Sequence, residues 1–283
     1  MAQGSVLLAL ILYCRLILAT RKALNMTASP ILSFKSINVE YEVEGAFTRA
    51  LSDFNLDIFA NELICLVGQS GCGKSTALNL AAGLLTPNSG ELLMDGIPIS
   101  GPDSSRAVVF QNDAVFPWMR VDENIAFGPR SQGKSSSEVS GLVDKYLEMT
   151  GLQDFRHAWP MALSGGMRKR VDLARAYAAD PKILLMDEPF GALDFLLKEN
   201  LQEQLRRLRG IDKRTIFFIT HDLEEALFLG DRVVVMTPRP GTIAKIVNCD
   251  FGEERDSSLR TRADFVELRR ELREFIGRIG DAR

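Results

Sequence analysis

Three features of the chain predict an α/β fold with a mainly parallel sheet, an antiparallel β subdomain and an inserted α-helical subdomain. The apolar run Leu63-Ile64-Cys65-Leu66-Val67 passes directly into Gly68-Gln69-Ser70-Gly71-Cys72-Gly73-Lys74-Ser75 and then into a helical stretch over 76–80. Further continuous apolar runs follow at 107–110, 183–186, 215–220 and 233–236, and such runs suit parallel strands covered on both faces. Residues 31–59 instead alternate apolar and polar side chains, as in Phe54-Asn55-Leu56-Asp57-Ile58, the pattern of antiparallel strands with one wet face.

In chain order, residues 1–25 form an N-terminal extension. Val6 to Ala19 is apolar but interrupted by Arg15, too short to span a bilayer comfortably, and without a basic start or a cleavage site. We read it as an extended or misassigned start in preference to a membrane anchor, with the foldable unit at 26–283. After the alternating strands, the glycine loop between strand and helix forms a phosphate cradle. Its glycines let successive N–H groups turn inward on anionic oxygens, and the helix start adds partial positive charge. Lys74 can reach the β/γ-phosphates and the Ser75 hydroxyl can ligate Mg²⁺. Gly68, Gln69, Ser70, Gly71, Cys72, Gly73, Lys74, Ser75 and Thr76 are therefore the candidate nucleotide-binding residues. Cys72 occupies a variable loop position and is read as alkylatable, without a catalytic role. Residues 91–99 read as a hairpin about Asp95-Gly96.

Three of the later runs end at polar residues suited to chemistry: 107–110 at Gln111, 183–186 at Asp187-Glu188, and 215–220 at His221. Ligands bind at the carboxyl ends of such strands. The fourth, 233–236, leads into Pro238-Arg239-Pro240-Gly241 and receives no catalytic role. Between Gln111 and Asp187 the pattern is helical, giving a helical subdomain at about 112–178. Ser135-Ser136-Ser137-Glu138 supplies a capping box, and Leu163-Ser164-Gly165-Gly166 opens a helix that stops before Asp180-Pro181. Residues 195–209 are helical. So is 263–279, within a C-terminal helical segment at about 250–283, where Phe265, Leu268, Leu272, Phe275 and Ile279 form a core-facing stripe. His157 lies in a polar turn and reads as a surface residue.

The balance of 34 basic and 37 acidic residues, net −3, argues against a nucleic-acid partner. Cys14, Cys65, Cys72 and Cys249 form no C-x-x-C pair and have no histidine at metal spacing, which points to a reducing compartment without structural zinc.

Taken in order, the loop at 68–75, Gln111, Leu163-Ser164-Gly165-Gly166, Ile183-Leu184-Leu185-Met186-Asp187-Glu188, Gly191-Ala192-Leu193-Asp194 and His221 resemble the ATP-binding subunit of ABC transporters over about residues 31–280. The resemblance implies a P-loop NTPase core that hydrolyses ATP with Mg²⁺. Chemistry then suggests roles. Asp187 joins Ser75 and Gln111 around the metal, Glu188 deprotonates the attacking water, and His221 steadies charge at the γ-phosphate. Lys74, Gln111, Glu188 and His221 thus form the candidate catalytic set. Ser164, Gly165 and Gly166 would cover the γ-phosphate held by a second copy of the chain, sandwiching two ATP molecules in a homodimer. Met167 stands where the family usually has glutamine, which puts that contact across the dimer in doubt. Tyr41 takes the place of the adenine-stacking aromatic, with Phe47 as its competitor.

Phe116-Pro117-Trp118, the Gly-Met-Arg-Lys-Arg run from Gly166, Pro189-Phe190-Gly191 and the Val235 to Gly241 segment are similar to importers of the nitrate, sulfonate and taurine group. This implies membrane permease subunits docking near residues 111–120, with Phe116 and Trp118 readable equally as core. It also implies a solute-binding protein as indirect partner, and a peripheral position on the cytoplasmic face of the inner membrane. The alternatives are a non-transport ATPase acting on nucleic acid or the ribosome, or an exporter subunit. Against the first stand a single cassette and no coiled-coil insertion. A GTP-binding switch is disfavoured by the lack of an Asn-Lys-x-Asp motif.

Overall fold

The computed structural model describes residues 29–43 and 45–281; the expected N-terminal extension lies outside them. The alternating segment folds as two long strands, β1 (Leu32–Val43) and β2 (Ala46–Ile58), paired antiparallel. β4 (Ser89–Met94) and β5 (Ile97–Pro98) complete a four-stranded sheet in the order β2-β1-β4-β5. The β4–β5 turn carries Asp95 and Gly96 at φ 50° and 77°, the left-handed pair that a tight hairpin demands.

The apolar runs build a second sheet from β3 (Leu63–Val67), β6 (Arg106–Val109), β7 (Ile183–Asp187), β8 (Thr215–Thr220), β9 (Arg232–Met236) and β10 (Ile243–Asn248). Its order is β10-β9-β3-β8-β7-β6, parallel throughout except for β10. The lack of alternation in these runs has a direct cause. Leu63, Cys65 and Val67 enter one core, with Met186, Phe218 and Val235, whereas Ile64 and Leu66 enter another, with Leu185, Ile219 and Val234. Both faces are dry, so every position is apolar. The second core is closed by α1 (Lys74–Ala82) and the antiparallel sheet; the first is closed by the remaining helices.

Between β6 and β7 lie α2 (Val121–Ser131), α3 (Ser136–Thr150) and α4 (Gly165–Ala178). The expected capping box is present on α3: Ser135 N–H donates to Glu138 Oε2 at 2.9 Å and Glu138 N–H to Ser135 Oγ at 3.4 Å. α5 (Phe195–Ile211), α6 (Leu223–Leu229) and α7 (Ala263–Asp281) follow. On α7, Phe265 and Leu272 are fully buried and Leu268, Phe275 and Ile279 pack beside them. Among the described residues no helix is long and apolar enough to cross a membrane.

Candidate functional site

Because β3, β8, β7 and β6 are adjacent and parallel, the residues that follow them emerge along one edge. The order is the Gly68–Lys74 loop, His221, Asp187-Glu188 and Gln111. The loop turns through Gly71 at φ 76° and Gly73 at φ 106°. A side chain at Gly73 would meet the Ala50 carbonyl and Leu51 of β2 at 2.8 Å, so glycine serves both dihedral and space. Lys74, nearly buried, folds back over the loop and donates from Nζ to the carbonyls of Gly68 at 2.9 Å and Gln69 at 3.0 Å. The Gln69 amide meets Gly280 in the last turn of α7.

The Ser75 hydroxyl donates to Asp187 Oδ1 at 3.3 Å. Burial pushes the Asp187 carboxyl above its usual range, a shift that the Ser75 hydrogen bond opposes, that Glu188 reinforces and that Lys74 reduces. Glu188 sits at φ 42°, the left-handed region that costs a non-glycine residue energy. Its N–H donates to the Ile219 carbonyl at 3.0 Å, and its Oε2 lies 2.7 Å from His221 Nδ1. Gly191 marks where Gln111 joins: a Cβ there would stand 3.4 Å from both Gln111 Nε2 and Glu188 Oε2. The structure therefore gathers Lys74, Ser75, Gln111, Asp187, Glu188 and His221 at one edge. Tyr41 reaches it through Thr76, with 3.2 Å between their hydroxyl oxygens. Phe47 pairs with Glu42 near the end of the hairpin, 72% exposed against 37% for Tyr41.

Ser164, Gly165 and Gly166 stand apart from this set. Ser164 caps α4, its Oγ accepting from Met167 N–H at 3.3 Å. Gly166 lies so close to Leu197 of α5 that a side chain would collide with it. Met167 packs against the apolar core with Leu193 and Leu197, which accounts for a thioether at this position.

One expectation needs correction and one open alternative is decided. Cys72 is only 1% exposed, with its thiol pushed up by burial; it contributes loop backbone and is a poor target for alkylation. Of the two readings open for Trp118, the structure excludes core: the residue is 68% exposed and stacks on Phe116 at 5.5 Å, beside the half-open Phe127. Buried Asn124 staples that loop, donating to the carbonyls of Phe116, Met119 and Arg120.

Sequence reasoning missed the supports. Lys169, 1% exposed on α4, donates to the carbonyls of Phe110 at 2.9 Å and Gln111 at 3.2 Å. This contact also explains why β6 ends at Val109, before the Phe110 of the apolar run. Thr220 is tied to Glu225, which accepts from Gln202 at 2.9 Å, and Lys198 bonds Asp222 at 2.7 Å. The segment carrying His221 is thereby fixed to α5 and α6. In the sequence Lys169 stands out only as part of the Gly-Met-Arg-Lys-Arg run; a basic run on a helix reads as a solvated face, so its buried supporting role is not marked there.

The donor set suits Mg²⁺ bound together with a nucleotide. That ion takes one or two carboxylates plus phosphate oxygens in preference to a dedicated protein cage. Ser75 and Asp187 supply hard oxygens, and among the described residues no cluster of three or more His, Cys, Asp or Glu could hold a metal by itself.

The family model described as ABC transporter matches residues 51–191. A putative ATP-binding protein of Brucella abortus (strain 2308) is 47% identical over 240 residues, covering 85% of this chain and 91% of that one. The taurine import ATP-binding protein TauB of Roseobacter denitrificans is 45% identical over 252 residues, covering 88% and 94%. Among solved structures, the dimeric post-hydrolysis ATP-binding cassette MJ0796 bound to ADP and Pi superposes with a TM-score of 0.66 at 28% identity, covering 78% of this chain and all of that one.

Proposed function

Because this chain belongs to the ATP-binding subunits of ABC transporters and is an ATPase of that family, we propose that it powers import of a small oxyanion such as taurine, another sulfonate or nitrate. Similarity to TauB over 88% of the chain supports the import reading. The observation that carries the chemistry is the 2.7 Å contact between Glu188 Oε2 and His221 Nδ1 beside the phosphate loop.

In this reading the loop 68–75 binds ATP, with Tyr41 at the adenine, Thr76 beside it and Lys74 moving from the loop carbonyls to the β/γ-phosphates. Ser75, Asp187 and Gln111 would hold Mg²⁺, which supplies charge neutralisation when bound. Glu188 orients the attacking water and takes its proton; His221 holds the Glu188 carboxylate in place and steadies charge at the γ-phosphate. Positioning and electrostatics supply the rate, with no covalent intermediate. A second copy places its Ser164-Gly165-Gly166 segment over the γ-phosphate, through N–H groups at the start of α4. The helical segment at about 112–178 presents Phe116 and Trp118 to a permease on the cytoplasmic face of the inner membrane, and a solute-binding protein selects the solute.

Glu188→Gln tests the catalytic assignment. The variant is expected to bind ATP and accumulate as a dimer in size-exclusion chromatography with ATP, hydrolysing at least 100-fold more slowly, the order expected for loss of a general base. Hydrolysis near the wild-type rate would remove Glu188 from the role.

A further inference from the structure

We propose that Arg239 is a positioning residue for the phosphate loop, gripping the Gly71 carbonyl at its tip so that the loop keeps the curvature in which a nucleotide's phosphates are cradled. The inference rests on the reading of residues 68–75 as the nucleotide cradle.

β9 ends at Met236, and the chain turns through Thr237-Pro238-Arg239-Pro240-Gly241 before β10 begins at Ile243. The turn is tied internally. Thr237 N–H donates to the Thr242 carbonyl at 2.9 Å, Thr242 N–H to Thr237 Oγ1 at 3.0 Å, and Thr237 Oγ1 to the Pro240 carbonyl at 3.1 Å. It is also joined to β2, with Gly241 N–H donating to Ala50 O at 2.9 Å and Ser52 N–H to Gly241 O at 3.0 Å. Gly241 is pressed so closely on the Cys72 carbonyl that any side chain would collide with it. The turn is thus a platform fixed to the sheet on one side and abutting the phosphate loop on the other.

From this platform Arg239 Nε donates to the Gly71 carbonyl at 3.1 Å, and Nη2 lies 3.4 Å from the point a Gly71 Cβ would take. The consequence follows from peptide planarity: with the Gly71 carbonyl held outward, the Cys72 N–H must point the opposite way. It does so here, donating to the Gln69 carbonyl at 3.3 Å and closing the turn at the loop's tip, so the grip on Gly71 holds that turn and with it the curvature of the loop. Gly71 and Gly73 both have left-handed φ and no Cβ to resist rotation, so an external hold on this peptide matters more than in an ordinary turn. The two prolines flanking Arg239 narrow its backbone freedom, which lowers the entropic cost of presenting the guanidinium. Arg239 is itself exposed, so its removal should register in nucleotide binding more than in folding.

The test measures Kd for ATP and ADP by equilibrium binding, with steady-state hydrolysis and thermal melting alongside, for wild type, Arg239→Ala, Arg239→Lys and Lys74→Ala. Arg239→Ala is expected to weaken ATP and ADP by the same factor, about fivefold, as the loop backbone cradles the α/β-phosphates common to both. KM should rise in step, kcat at saturating ATP should hold within about twofold, and melting should be unchanged, the pattern of lost uniform binding. Arg239→Lys should recover most of the loss, since an ammonium can still donate to Gly71 O. Unchanged affinity, failure of Lys to rescue, or weakening of ATP alone would overturn the proposal, the last indicating a direct γ-phosphate contact. Lys74→Ala separates the two levels. If it loses nucleotide while Arg239→Ala does not, only the brace fails; if Lys74→Ala binds normally, the cradle reading fails and the brace with it.

Discussion

Asp187 and Glu188 are adjacent carboxylates in different situations, and the difference assigns them different work. Glu188 turns out of the sheet at φ 42° to meet His221, whereas Asp187 is still in β7, half-buried and leaning on the Ser75 hydroxyl. Burial raises the Asp187 pKa ahead of the other contributions, so the ionised carboxylate is a cost that the nucleotide-free fold bears. The sign follows: a carboxyl raised in the folded state is least costly below its unfolded pKa, and its contribution becomes unfavourable as pH rises through the folded value. Asp187→Asn is therefore expected to melt higher than wild type at pH 7 to 8 without nucleotide. The gap should close as the pH falls toward 4, and Mg²⁺-dependent hydrolysis should be lost. An Asp187→Asn protein less stable than wild type at pH 8 would show that the carboxylate is already compensated within the chain.

The loop from Phe110 to Trp118 shows how helices supply what the strands cannot. Lys169 holds the Phe110 and Gln111 carbonyls, Arg168 Nε bonds Asp113 at 2.8 Å, and Arg175 reaches the Ala114 carbonyl and lies over the Phe116 ring at 4.8 Å. One face of α4 thereby carries the loop that joins Gln111 to the exposed aromatics. Lys169→Met would strand two carbonyls and remove a buried cation 3.6 Å from Asp172. The expected loss in urea denaturation is about 3 kcal/mol, as for breaking a buried pair, with hydrolysis falling further than ATP affinity; unchanged stability would show that Arg175 alone suffices for Asp172. None of these contacts was visible in the linear pattern, in which the run from Arg168 to Arg170 reads as part of a helix and as a feature of the importer resemblance, with no buried role. The strands were legible, because runs buried on both faces are unbroken, and so was α3, through Ser135 and Glu138. α2 was not delimited: Gly128 and Pro129 in its last turns obscure the helical signal, Gly128 being there because Ala179 would clash with a side chain. The seven-residue α6 is too short for a period to show. Strand-end chemistry was readable since polar residues closing apolar runs stand out. The convergence of Gln111 and Glu188 about Gly191 needed coordinates.

For the protein as a whole, hydrolysis has meaning only if it is coupled to something outside the chain, and an exposed aromatic group beside Gln111 suits that coupling. Trp118 and Phe127 are 68% and 42% exposed and both meet the Phe116 ring, a grouping of aromatic surface that a free monomer gains nothing by displaying. Phe116 and Trp118 lie on the loop that begins at Gln111, so a partner seated there would sense the nucleotide edge through the same backbone that Lys169 holds. If that partner is an import permease, replacing the cell's own copy with Glu188→Gln should stop uptake while the complex still assembles. We expect uptake of labelled taurine, an alkanesulfonate or nitrate to fall to background for one of the three and to persist for the other two. Trp118→Ala in the same cells should lower that uptake while the purified subunit's hydrolysis is retained, if the exposed indole is where the permease seats. Loss of one uptake in both strains would name the solute and fix the direction of transport as inward. Normal uptake of all three in the Glu188→Gln strain would leave the ATPase intact as a reading and remove these solutes from it.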